Sequence, residues 1–178
     1  MKRILSCAII AASVVFWVNG AGDASARSKV DPKEVLATGK ADLEKVLLSR
    51  EATYQEMIGI GKCAGLFAAV TEAAKEREES GGKKTPKLFS VYFLAGSFLG
   101  AEYSKIGNST KADFVTLQTT LKTLEETSDD AKLSARVLFE DIESNQLKIR
   151  AQLSSCVKKG PLLAYVWKQM KRNGSVAK

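Results

Sequence analysis

The sequence predicts an all-α fold: a single-domain bundle of five or six helices around a buried central helix at about 86–106, with one inter-helix disulfide. Apolar residues recur at helical spacing in several segments, and no segment alternates as a strand does. The run over 88–101 is uncharged, but a membrane span takes roughly 20 apolar residues, so the run predicts a helix buried in a bundle. Two well-separated cysteines predict the disulfide.

The first 26 residues have the parts of an export signal. Two basic residues precede an apolar stretch over 4–18, and Ala24-Ser25-Ala26 then fits the A-x-A cleavage pattern. We expect cleavage after Ala26, with Ala21 as the less favoured site, and a mature chain that is periplasmic or secreted. The alternative is an uncleaved N-terminal anchor.

Export gives the cysteines a structural meaning. Cys7 lies in the expected signal, so Cys63 and Cys156 are the two cysteines of the expected mature chain. An even number of cysteines in an oxidising compartment predicts a disulfide. Closing so long a loop contributes about 2–4 kcal/mol to stability. The alternative is a pair of buried free thiols.

The first three helices of the mature chain are predicted by their start and stop signals. Asp31-Pro32 places a capping side chain before a proline at the first helical position. Ser49 either caps a second helix or lies inside one long first helix. The second helix ends before the glycine-rich loop at 80–82. The central helix begins at Thr85-Pro86 and ends at Gly107.

Small residues are spaced one turn apart in two of these helices. Gly61 and Gly65 lie four residues apart in the second helix, and Gly96 and Gly100 do so in the central helix. Such strips let two helices approach closely. The two strips are therefore candidates to face each other, and a second subunit is the alternative partner.

The rest of the chain predicts three more helices. A stripe of apolar residues at helical spacing covers 111–127, and Ser128, followed by two aspartates, predicts the start of the next helix. That helix runs to about Lys158, because Gly160-Pro161 then stops it. The last helix extends from Pro161 to about 172. The helical domain is thus 27–172, followed by a frayed basic tail at 173–178.

Positive charge is concentrated at the C-terminal end. The formal net charge is +7, and 144–178 holds eight Lys or Arg with no Asp or Glu, whereas 27–143 holds seventeen basic and nineteen acidic residues. This end predicts a docking surface for an acidic partner. Its candidate binding residues are Lys158, Lys159, Trp167, Lys168, Lys171 and Arg172. The alternative is a solvated face whose Trp167 packs into the core.

The absence of histidine restricts the possible chemistry. It excludes Ser-His-Asp and Cys-His catalysis and the usual catalytic zinc sites. Ser80 and Ser155 each begin an S-x-x-K match, but the companion motifs of serine acyl-transfer enzymes are missing. We therefore predict no catalytic residue, no metal and no cofactor.

Three functions are consistent with this sequence. The first is a non-enzymatic protein-binding factor of a bacterial envelope, for example an inhibitor or immunity-type protein. The second is peripheral attachment to an anionic membrane or cell wall through the basic C-terminal segment. The third is a histidine-free hydrolase. Nucleic acid is not expected as a partner, since an exported protein rarely meets it.

Overall fold

The computed structural model describes residues 31–76, 85–106 and 114–174. Within these ranges the chain forms six helices and no strand, which confirms the all-α bundle. The helices are α1 (Pro32–Val46), α2 (Arg50–Glu76), α3 (Thr85–Lys105), α4 (Phe114–Glu140), α5 (Ile142–Val157) and α6 (Gly160–Arg172). The expected signal, the loop at 80–82 and the end of the tail at 175–178 lie outside the described residues.

Side-chain caps separate the helices at two of the expected places. The Asp31 carboxylate accepts a hydrogen bond from the backbone N–H of Lys33 at 2.8 Å and starts α1. The Ser49 hydroxyl accepts one from the Ala52 N–H at 3.0 Å, so α1 and α2 are two helices. Each cap satisfies a backbone donor that has no partner inside the helix.

The break expected at Ser128 is wrong, because α4 continues through this residue to Glu140. Ser128 is buried, and its carbonyl lies directly against Gly65 of α2. That contact packs the α4 backbone at Ser128 closely against α2, and this packing outweighs the capping preference of serine, which is worth about 1 kcal/mol. The actual break comes at Asp141, whose carboxylate accepts a hydrogen bond from Ser144 N–H at 3.2 Å and starts α5.

Helices α2 and α3 form the centre of the bundle. The predicted central helix, α3, packs against α2, α4 and α6, while α2 packs along both α3 and α4. Their buried apolar residues include Met57, Ile60, Phe67, Tyr92 and Leu99. Of the described helices, α2 alone is long and apolar enough to cross a membrane, but core helices also have this composition and much of its most apolar stretch is buried.

The two glycine strips were candidates to face each other, but in the structure they do not. Both face α4, and Leu124 of that helix lies between Gly61 and Gly96. Leu124 is fully buried there. A branched leucine occupies the space that the two missing side chains leave, so the glycines bring three helices together and not two.

The first and last described helices form a pair. Gly39 of α1 lies directly against the Pro161 carbonyl of α6, and Leu43 of α1 is buried. Leu162, Leu163 and Val166 form the buried side of α6. This leaves the opposite side of α6 at the surface.

Candidate binding surface

The predicted disulfide is present and fixes the end of α5 to α2. Cys63 and Cys156 are bonded, with their Cα atoms 5.6 Å apart and a separation of 93 positions in the sequence. The Tyr92 hydroxyl donates a hydrogen bond to the Cys156 carbonyl at 2.8 Å. Burial of Tyr92 raises the pKa of its hydroxyl far above the usual value, so the group stays a donor. A structural disulfide is typical of an oxidising, non-cytoplasmic compartment.

Lys159 belongs to the same junction. Its ammonium group lies 2.6 Å from a Glu56 carboxylate oxygen, and about a fifth of each side chain is exposed. This ion pair links the turn between α5 and α6 to α2. Among the candidate binding residues, Lys159 therefore differs from the others, because its charge is already compensated within the molecule.

The remaining candidates lie at the surface, most of them together. We call Trp167, Lys168, Lys171 and Arg172 the basic face of α6. The three cationic side chains are exposed, and none forms an ion pair with another described residue. Lys158 is also exposed, but it lies at the end of α5.

Trp167 gives the basic face an apolar component. It is partly exposed and, among the described residues, is not one of those packed against the hydrophobic core. The Lys171 ammonium lies 5.7 Å from the centroid of the indole ring, within the range of a cation–π contact. Tryptophan is among the residue types enriched at protein interfaces.

A second surface was not expected from the sequence. We call Asp129, Asp130, Leu133, Val137 and Glu140 the acidic strip of α4. All five side chains are exposed, and Leu133 and Val137 lie one helical turn apart. The helix predicted from Ser128 to about Lys158 already contained all five residues, but its two aspartates were interpreted as stabilising the helix N-terminus. Their spacing from Leu133 and Val137 along one continuous helix is the signal that reveals it.

Of the two S-x-x-K matches considered for catalysis, the structure describes one. Ser155 and Lys158 are both exposed at the end of α5, while Ser80 and its partner Lys83 lie outside the described residues. In the ranges that the structure describes, no three His, Cys, Asp or Glu residues lie close enough together to hold a metal ion.

Comparisons with known proteins add no relative. No family model matches the chain, and no curated protein or solved structure is significantly similar to it. The surfaces described above are therefore the basis for assigning a function.

Proposed function

We propose that this protein is an exported, non-enzymatic binding protein of the bacterial envelope, which engages an acidic macromolecule through the basic face of α6. An inhibitor or immunity-type role fits this description. The observation that carries the proposal is the partly exposed Trp167 beside three exposed cations on a helix whose other side is buried.

The energetics of such a surface support the proposal. Exposed lysine and arginine side chains attract an acidic partner over distances of about 10 Å at physiological salt. A tryptophan supplies the large apolar contact that holds the partner after the encounter, and it is among the residues that most often dominate interfaces. The disulfide and the Lys159–Glu56 ion pair fix the start of α6, so the face is positioned before binding.

Export is tested by the N-terminus of the purified protein. The full chain, expressed in a bacterium with an outer membrane, should appear in the periplasmic or secreted fraction and begin at Arg27. Intact-mass measurement identifies this end, because loss of the first 26 residues changes the mass by a known amount. A protein that keeps Met1 and remains in the cytoplasm contradicts the export part of the proposal.

Partner binding is tested with a charge-reversed basic face. The Lys168→Glu/Lys171→Glu/Arg172→Glu variant should lose a partner that the oxidised wild-type protein captures from envelope or secreted fractions, because like charges then face each other. The control is Lys62→Glu/Lys75→Glu/Lys148→Glu, which changes the net charge equally at exposed lysines of α2 and α5. We expect the control to retain the partner in a stoichiometric complex.

The capture experiment has a clear contrary outcome. If the charge-reversed variant and the control bind the same proteins equally well, the basic face is not the binding surface. Size-exclusion chromatography of the purified complex then supplies the stoichiometry. A captured protein that elutes apart from the wild-type chain is not a partner.

The second candidate function is attachment to an anionic membrane or cell wall. It is favoured by the same observation, since tryptophan and lysine are common at membrane surfaces. In this case the wild-type protein sediments with vesicles that contain phosphatidylglycerol and stays in solution with neutral vesicles. Binding falls steeply with salt, as expected for charges held near an anionic surface. A protein partner that survives high-salt washing favours the first function instead.

A further inference from the structure

The chain carries two exposed surfaces of opposite charge. The basic face has three exposed cations on the same helix as the partly exposed Trp167, and the acidic strip has three exposed carboxylates on the same helix as two exposed aliphatic side chains. Leu133 and Val137 are 60% and 63% exposed, which is high for apolar residues in the middle of a long helix. Each surface thus combines apolar and charged side chains.

Within the part of the chain that the structure describes, the charge of the acidic strip is not compensated. Lys132 and Arg136 are the two basic residues between Asp129 and Glu140. Both are directed at Glu72 of α2, with N–O distances of 2.6 and 3.9 Å. Among the described residues, no cation forms an ion pair with a carboxylate of the strip. The strip therefore offers negative charge and apolar contact together to a partner outside the molecule.

We propose that the acidic strip of one copy receives the basic face of a second copy. The proposal rests on the proposed function in taking the basic face as a docking surface, and it names a second copy of this chain as an acidic partner. Opposite charges bring the two helices together, and Trp167 covers the exposed Leu133 and Val137 pair. Burial of these apolar groups then stabilises the contact between the two copies.

The contact joins different surfaces of the two copies. The acidic strip is on α4, which packs against α2, α3 and α5, whereas the basic face is on α6, which packs against α1 and α3. Such a contact is heterologous, so each added copy presents one free surface of each kind. The product is an open chain or a closed ring, and its formation depends on protein concentration and on salt.

Two charge-reversed variants test the proposal. The first, Asp129→Lys/Asp130→Lys/Glu140→Lys, loses the acidic strip and keeps the basic face. The second, Lys168→Glu/Lys171→Glu/Arg172→Glu, loses the basic face and keeps the acidic strip. Light scattering and sedimentation velocity of the full-length, oxidised proteins at low salt should show each variant alone as a monomer. The wild-type mass should rise with concentration.

Mixing the two variants is the decisive measurement. The basic face of the first variant can bind the acidic strip of the second, and the two reversed surfaces are also of opposite charge, so an equimolar mixture should associate although neither variant does so alone. The mixture should dissociate in about 0.5 M salt, where exposed charges farther apart than about 4 Å are largely screened. The Lys62→Glu/Lys75→Glu/Lys148→Glu control, which leaves both surfaces intact, should associate as the wild type does.

Several outcomes overturn the proposal. The proposal is contradicted if the wild-type protein stays monomeric at low salt and high concentration. It is also contradicted if the variant mixture does not associate while circular dichroism shows both variants folded. If the wild type stays monomeric yet captures a foreign acidic partner through the basic face, the proposed function stands and this inference fails. If the wild type and the mixture associate and no foreign partner is captured, this inference stands and the proposed function fails.

Discussion

Replacing Gly65 by alanine is expected to lower the free energy of unfolding by about 2–3 kcal/mol. The added methyl group would lie 2.8 Å from the Lys132 backbone nitrogen and directly against the Ser128 carbonyl. These are backbone atoms of α4, so no side chain can move aside and the two helices must separate. Chemical denaturation monitored by circular dichroism measures the change, and the melting temperature should fall by roughly 5–10 °C.

Gly59→Ala in the same helix is the matched control. A methyl group at Gly59 meets the end of the Lys159 side chain at 3.3 Å, and this flexible end can shift by a few tenths of an ångström. Alanine is the better helix former by about 1 kcal/mol, so Gly59→Ala should leave stability unchanged or raise it. Equal stability of the two variants would show that α2 and α4 do not approach each other as closely as described.

Removal of the disulfide is also expected to have a large effect on the free energy of unfolding. The Cys63→Ala/Cys156→Ala variant should lose about 2–4 kcal/mol of unfolding free energy, because the bridge closes a long loop in the unfolded chain. The loss of stability should be largest in α5. Helix α5 buries only Ile149, Leu153 and Cys156, so its backbone amides should exchange with solvent much faster in the variant than those of α2.

Reduction of the wild-type protein provides the control for this prediction. A reductant should lower the melting temperature of the wild type to that of the double variant and should leave the variant itself unchanged. Thiol titration establishes that the bridge has opened. If the reduced wild type melts as the oxidised protein does, the bridge contributes nothing to stability.

The features that follow from local signals were predicted well from the sequence. Asp31 with Pro32 and Gly160 with Pro161 mark helix boundaries by chemistry that acts within one turn, and the structure places helix ends there. The disulfide was predicted by counting cysteines. The helix start predicted at Ser128 was wrong because a capping signal is local. The environment of Ser128 is instead determined by Gly65, which lies 63 residues earlier in the chain.

Contacts between distant segments explain the other differences between the predictions from the sequence and the structure. Nothing near Gly61 or Gly96 indicates that Leu124 will lie between them. The pairing of Lys159 with Glu56 joins residues about a hundred positions apart, so charge counting alone assigned Lys159 to the docking surface. The sequence left two alternatives for Trp167, since the amphipathic pattern of a short helix leaves a residue at the edge of the apolar side undecided. In the structure its side chain is partly exposed.

The pairing of α1 with α6 determines the order in which the chain can fold. Helices α2, α3 and α4 are consecutive, so they can associate as soon as α4 has formed. Helix α1 precedes them, but it packs mainly against α6, which begins more than a hundred residues later in the chain. Closing so distant a contact is slow relative to local helix packing. Docking of α1 onto α6 is therefore expected to be a late step of folding, because a growing chain can make this contact only after α6 has formed.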